Sequence, residues 1–152
     1  MSKETVRWED FEKIHVIKKL NEIIAKWWHV QINFTDRKGF LRGVPEGRFF
    51  APLNPICKAI VADEKGFAKR LTTARQTTVD SMSSKTTRIT RDGSGFSVIS
   101  VPIHVNNEFL GTVFGDGFIV SDSAAGQKAL IRSYLERDFP QRADLLAEID
   151  NL

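Results

Sequence analysis

The sequence predicts an α+β fold, an antiparallel sheet of about five strands flanked by helices. Three observations lead there. The chain has 152 residues, close to one ordinary domain of about 100–200 residues. Its period-2 segments are grouped rather than alternating with helical ones, which disfavours a parallel, doubly wound sheet. Hydrophobic residues make up 41% and charged residues 27%, near globular averages, so neither a disordered nor a fibrous chain is expected.

The segment at about 8–28 is predicted helical. Phe11, Ile14, Ile17, Leu20, Ile24 and Trp27 recur every three or four residues and share a face, while Val16, Ile23 and Trp28 widen the apolar arc. Val30, Ile32 and Phe34 then alternate with Gln31 and Asn33, which predicts a strand with one buried face. Asp36 to Gly39 suits a turn and Phe40-Leu41 a return strand, so 30–44 reads as a β-hairpin. Pro45, Pro52 and Pro55 mark a loop.

Asn54-Pro55 starts a helix, with a capping side chain followed by proline at the first helical position. Ile56, Cys57, Ile60 and Val61 form its apolar face. Phe67, Leu71, Ala74, Thr78, Val79 and Met82 resume helical spacing after Asp63 to Gly66, as one kinked helix or two short ones. Sequential strands follow at about 86–91, 96–105 and 108–119, with Asn106-Asn107 a tight-turn pair. Cap-type residues at Ser121 to Ser123 open a helix carrying Leu130, Ile131, Tyr134 and Leu135 on one face, and a last short helix follows Phe139-Pro140. The predicted core includes Ile32, Phe34, Val98, Ile99, Val101, Ile103, Leu110, Val113, Phe114 and Leu130.

Composition excludes several classes. No apolar run approaches the roughly 18–20 residues of a membrane span. The charged start MSKETVRWEDFEK lacks the apolar stretch of an export signal. A cytoplasmic protein without a membrane partner is expected. The single cysteine, Cys57, excludes an internal disulfide and any multi-cysteine metal site. The net charge is +3 but unevenly spread: residues 36–91 hold 12 Lys/Arg against 5 Asp/Glu, and residues 92–152 hold 4 against 9. Such a split suits anionic ligands or self-association, or is simply two solvated faces of different composition. With so small an excess and no reader motif, direct nucleic-acid binding is not expected.

Motifs that would carry catalysis are not found. GTVFGDG has neither the helix-opening spacing of a dinucleotide fingerprint nor a P-loop Lys, so its glycines are expected to permit a bulge or close backbone approach. His15, His29 and His104 lack convergent partners, and no metal or other cofactor is expected. Ser94, Ser97, His104 and Asp116 carry no nucleophile elbow, so no catalytic residue is assigned. Cys57 reads as a buried structural thiol. The most informative polar set is Lys69, Arg70, Arg75, Arg88 and Arg91. If these face one pocket they could hold a carboxylate or phosphate through bidentate bonds; otherwise they form a solvated face.

The opening LNEIIAKWWHVQINFTDRKGFLRG, the inner-helix start PICKAI, the strand phrase VPIHVNNEFLGTVFGDGFI and the closing RADLLAEIDNL, in this element order, resemble the PocR-type sensory domain, a PAS/GAF-like sensor fold, over about residues 17–152. The resemblance implies a single sensor-like domain over 1–152, with an N-terminal helix at about 8–28, a core at about 29–122 and C-terminal helices at about 123–152. It implies a non-catalytic regulatory domain that binds a small ligand or a partner protein and signals through a dimer, as an input module of a bacterial transcriptional or signalling regulator. The alternative is a protein–protein interaction module with a packed core. The family often carries further cysteines, absent here, so no thiol-based metal or redox role is expected. Gly115-Asp116-Gly117 stands where the family usually ends its last strand in Gly-Gln. Any ligand is expected between the sheet and segment 45–75, with Arg70, Arg75, Arg88, Arg91 and Asp116 as candidate contacts. No helix-turn-helix, kinase or ATPase motif is visible, so an output domain or partner protein is expected. The breadth of the N-terminal apolar arc predicts a homodimer through Phe11, Ile14, Ile17, Leu20 and Ile24, joined by Leu130, Ile131 and Tyr134.

Overall fold

A computed structural model of the protein describes residues 6–12, 15–43 and 54–152. The N-terminal periodicity forms α1 (Glu9–Glu12) and α2 (His15–Trp28). The hairpin is β1 (Ile32–Asp36) with β2 (Leu41–Arg42). Its turn is set by Gly39 at φ +79° and by Asp36 Oδ1, which accepts from the backbone N–H groups of Lys38 and Phe40. Nothing is placed for the proline-rich loop, since 44–53 lies outside the described residues.

Asn54 caps α3 (Pro55–Ala62): its Oδ1 accepts from the Cys57 N–H at 2.7 Å, while its Nδ2 donates to the Gly117 carbonyl at 2.7 Å. Asp63 decides between one kinked helix and two. Its N–H closes α3 on the Ala59 carbonyl, and its side chain accepts from the Gly66 N–H to open α4 (Glu64–Met82). Then come β3 (Arg88–Arg91), β4 (Ser97–Val105) and β5 (Glu108–Phe118), with Asn106 and Asn107 at φ +52° and +66° in the two-residue turn. The chain closes with α5 (Ala124–Asp138) and α6 (Ala143–Ala147), flanked by single 3₁₀ turns. Among the described residues, no helix is long and apolar enough to cross a membrane.

The five strands form one antiparallel sheet in the order β2-β1-β5-β4-β3, as the α+β expectation requires. β1 reaches β5 across the chain, with Ile32 opposite Gly115 and Asp36 opposite Gly111. A Cβ at Gly111 would run into the Thr35 carbonyl, so here the predicted close approach of backbones is real.

Both faces of the sheet are covered around β1. On one, Ile32 and Phe34 pack with Trp8 and Leu110, and with the partly buried Ile24, Ile103 and Val113. On the other, Val98 and Phe114 meet Ala74, Phe67 and Leu71 of α4. A third cluster joins Ile56, Cys57 and Ile60 of α3 to Phe96, Ile131, Tyr134, Leu135, Leu145 and Ile149.

Three sequence expectations need correction. The alternation around Asn33 predicts one buried face, yet every residue of β1 is buried, because α4 covers the second face. Val101 is 39% exposed: it lies on the face carried by α1 and α2, beyond the part they cover. Leu130 is 49% exposed, because α5 is rotated to bury Ile131, Tyr134 and Leu135. Those two inward residues of the predicted dimer set, Ile131 and Tyr134, are therefore core.

Gln127 belongs to the same inward stripe and is fully buried. Its Oε1 accepts from the Val120 N–H at 2.8 Å and from Ser123 Oγ at 3.0 Å. Its Nε2 donates to the Gly95 carbonyl and to Ser97 Oγ. Gln127→Ala strands these groups without water, so it should lower unfolding stability by about 2–4 kcal/mol in urea denaturation, whereas Leu130→Ala, on the exposed side of α5, should cost under about 1 kcal/mol.

Candidate functional site

The face of the sheet beneath α4 is unusually polar. The pairing register puts Asn33 opposite Phe114, Thr35 opposite Thr112 and Asp116 opposite Val98 on that side, and Asn33, Thr35, Ser100, Thr112 and Asp116 are all buried. From α4 come Arg70, Ala74, Thr77, Thr78 and Ser81, also buried and spaced as one helical stripe. Thr35 Oγ1 and Thr78 Oγ1 share a hydrogen bond at 2.5 Å.

The strongest contact is an ion pair between Arg70 Nη2 and Asp116 Oδ2, both side chains about 95% out of water. It does not exhaust either group. Arg70 Nε and Nη1, Asp116 Oδ1 and Thr112 Oγ1 are buried and find no hydrogen-bond partner among the described residues. Beside them a cavity of about 260 Å³ opens between α4, the β3–β4 turn and α5, walled by Ile60, Lys69, Arg70, Asp92, Ser94 and Tyr134. A wider cleft of about 410 Å³ lies by Trp8 and the β1–β2 turn. There Asp36 is engaged by Arg42 and by two backbone N–H groups.

A model of the sensory domain found in PocR matches residues 10–152. The chain belongs to the PocR sensory-domain family. No curated protein matches it.

The five candidate contacts of this PocR domain do not converge. Arg70 and Asp116 meet. Arg75 lies exposed on another side of α4, where its side chain and backbone flank Gly39 of the hairpin turn. Arg88 and Arg91 sit exposed on the edge strand β3. Arg70 and Arg75 are five residues apart on a helix, and Arg88 and Arg91 three apart on a strand, so neither pair shares a face. The sequence alone does not bring Asp92, Ser94 and Tyr134 to the cavity that they line. Asp92 was legible only as the start of a turn, where its Oδ1 accepts from the Ser94 N–H and Oγ and from the Phe96 N–H.

Of the predicted dimer residues, Ile14 lies outside the described residues, as do the side chains of Phe11 and Ile17. Leu20 is exposed, and Ile24 packs against its own sheet.

Burial pushes the Asp116 carboxyl up against the pull of Arg70. Burial works to lower Arg70, but Asp116, with Cys57 and Asp92 behind it, outweighs that and holds the guanidinium above its ordinary value. Burial also drives the Cys57 thiol up to about 12, so it is protonated and not nucleophilic at neutral pH. No group of three or more metal-binding side chains converges among the described residues.

Two tests follow from these charges. Asp116→Ala should cost about 3–5 kcal/mol by leaving Arg70 buried and unpaired, while Arg70→Met with Asp116→Leu should recover most of it; equal losses in chemical denaturation would argue against a coupled pair. The folded thiol titrates near 12 and the unfolded one near 9.0, so the Cys57 contribution is intact below 9 and is lost as pH rises towards 12. Between pH 8 and 10 the wild type should lose about 1.4 kcal/mol more stability than Cys57→Ala.

Proposed function

We propose that the chain is a non-catalytic PAS/GAF-like input domain that seats a small polar ligand in the 260 Å³ cavity and passes the change to α5. The observation that carries this reading is the lining of the cavity, where Lys69, Thr72, Thr73, Asp92, Ser94 and Tyr134 bring charged and hydroxyl groups together beside the buried Arg70. Such a convergence of a few polar groups in a small cavity is the signature of a ligand site. Tyr134 belongs both to the cavity wall and to the core cluster that holds α5 on α3, which gives an occupant a route to the C-terminal helices. The family supports a sensory role, and the element order supports the PAS/GAF-like arrangement. In this reading the domain, 1–152 as one unit, works in the cytoplasm as part of a bacterial transcriptional or signalling regulator, without membrane or nucleic-acid contact of its own.

A thermal-shift screen with nucleotides, sugars, carboxylates and amino acids tests it. At least one compound should raise the melting temperature of the wild type and not that of Thr73→Trp, which fills the cavity from α4. A shift retained in Thr73→Trp would move the ligand elsewhere. No shift with any compound would favour the packed interaction module.

The second part of the proposal is a homodimer through α2. Leu20, Ile23 and Trp27 form a stripe turned away from the sheet, and Trp27 and Trp28 are 71% and 66% exposed. A contiguous apolar stripe of this kind marks an interface, and a two-fold axis lets one patch serve both subunits. Light scattering at tens of micromolar should give a dimer mass for the wild type and a monomer mass for folded Ile23→Glu. A monomeric wild type would remove the dimer.

A further inference from the structure

The wider cleft of about 410 Å³ lies on the face of the sheet carried by α1 and α2, between the segment around Trp8 and the β1–β2 turn. Its apolar lining is Trp8 and Leu110, both buried in the core cluster of that face, and Phe40, which is left 54% exposed. Its charged lining is four cations, Arg7, Arg37, Lys38 and Arg42, against two carboxylates, Glu9 and Asp36. Both carboxylates are turned to Arg42: Asp36 Oδ2 accepts from its Nε and Nη2, and Glu9 Oε1 lies 3.7 Å from its Nη1. Asp36 Oδ1 is taken by the backbone N–H groups of Lys38 and Phe40, and the neighbouring Asp10 accepts from the Arg7 backbone N–H. Arg7, Arg37 and Lys38 are exposed, and among the described residues their side chains stand in no ion pair. The lining therefore carries an excess of two positive charges beside an open apolar surface.

We propose that this cleft is a second binding site, for a compact amphipathic anion: a carboxylate or phosphate monoester with an aromatic body, its charge on Arg7, Arg37 and Lys38 and its ring against Phe40 and Trp8. The site is independent of the 260 Å³ cavity, which shares none of its lining. Its size falls in the range of about 300–1,000 Å³ usual for small-molecule sites. Guanidinium forks suit carboxylate and phosphate oxygens alike. An inorganic anion would answer the cations but leave the apolar lining in water, forgoing about 25 cal/mol per Å² that could be covered. A neutral aromatic would cover that lining without the charge-assisted bonds, which are roughly twice as strong as neutral ones. An aromatic amine would meet like charge. The occupant spans the N-terminal segment and the hairpin, which the Arg42–Glu9 pair and the Trp8–Phe34 ring contact at 5.6 Å already join, so binding braces the layer that carries α2.

Isothermal titration of the whole chain at low ionic strength tests the assignment, with phenylacetate, indole-3-acetate and phenyl phosphate as probes and acetate, inorganic phosphate, 2-phenylethanol and phenethylamine as controls. At least one aromatic anion should bind about tenfold or more tightly than every control. That probe should bind about tenfold more weakly to the double variant Arg37→Gln with Lys38→Gln, and to Phe40→Ala, each with its melting temperature checked. Its affinity should be unchanged in Thr73→Trp, which alters only the 260 Å³ cavity. A control binding as tightly as the aromatic anions would overturn the amphipathic class. Unaltered affinity in the folded double variant, or loss of binding in Thr73→Trp, would put the probe elsewhere and overturn the site. No binding by any aromatic anion would overturn it too, while leaving the sensor reading of the other cavity to its own screen.

Discussion

The packing of α4 on the sheet is governed by one electrostatic requirement: a guanidinium removed from water must meet its counter-charge. Arg70 can do so at Asp116 only when α4 lies with that side down on β5. Once it does, the same stripe delivers Ala74, Thr77, Thr78 and Ser81 to the sheet, all small enough to let helix and strands approach closely. The Thr35–Thr78 hydrogen bond then sets the register at the β1 end. Hydrophobic burial alone would not choose this rotation, because α4 has larger apolar residues elsewhere, with Val79 and Met82 left exposed. Buried polar groups of this kind stabilise little over an apolar replacement; here they hold a polar layer in place between helix and sheet.

Much of the architecture is legible in the sequence because it rests on local signals. Asn54-Pro55, Gly39 and Asn106-Asn107 each enforce a backbone conformation whatever the rest of the chain does. The grouping of strands gave the antiparallel sheet for the same reason. The candidate site was less legible. The alternation of Ile32 and Phe34 with Asn33 predicts a core side and a water side, but β1 lies in the middle layer of three and its polar side faces another layer. Period-2 patterning reports polarity, and polarity equals exposure only when nothing lies on top. From sequence alone the arginines stay open between one pocket and a solvated face, since linear proximity on α4 and β3 says nothing of which side of the sheet each reaches.

The C-terminal helices show the reverse case. The spacing of Leu130, Ile131, Tyr134 and Leu135 marked a helix correctly but not its rotation, because Gln127, a polar residue, completes the inward stripe. With Gln127 satisfied by Val120, Ser123, Gly95 and Ser97, the helix is clasped to the end of β5 and to the β3–β4 turn. That turn also supplies Asp92 and Ser94 to the cavity. Cavity wall and C-terminal layer are thus joined by hydrogen bonds as well as by Tyr134.

The pairing of β1 with β5 also orders events in time. β3, β4 and β5 form a meander of neighbours and can assemble with little loop-closure cost, whereas β1 must wait for a strand synthesised long after it. During translation the N-terminal helix and hairpin leave the ribosome with Ile32, Phe34 and Trp8 still lacking the strand they pack on. β1 is thus the first strand made and must wait for the last, and that interval is when the nascent chain is most exposed to aggregation.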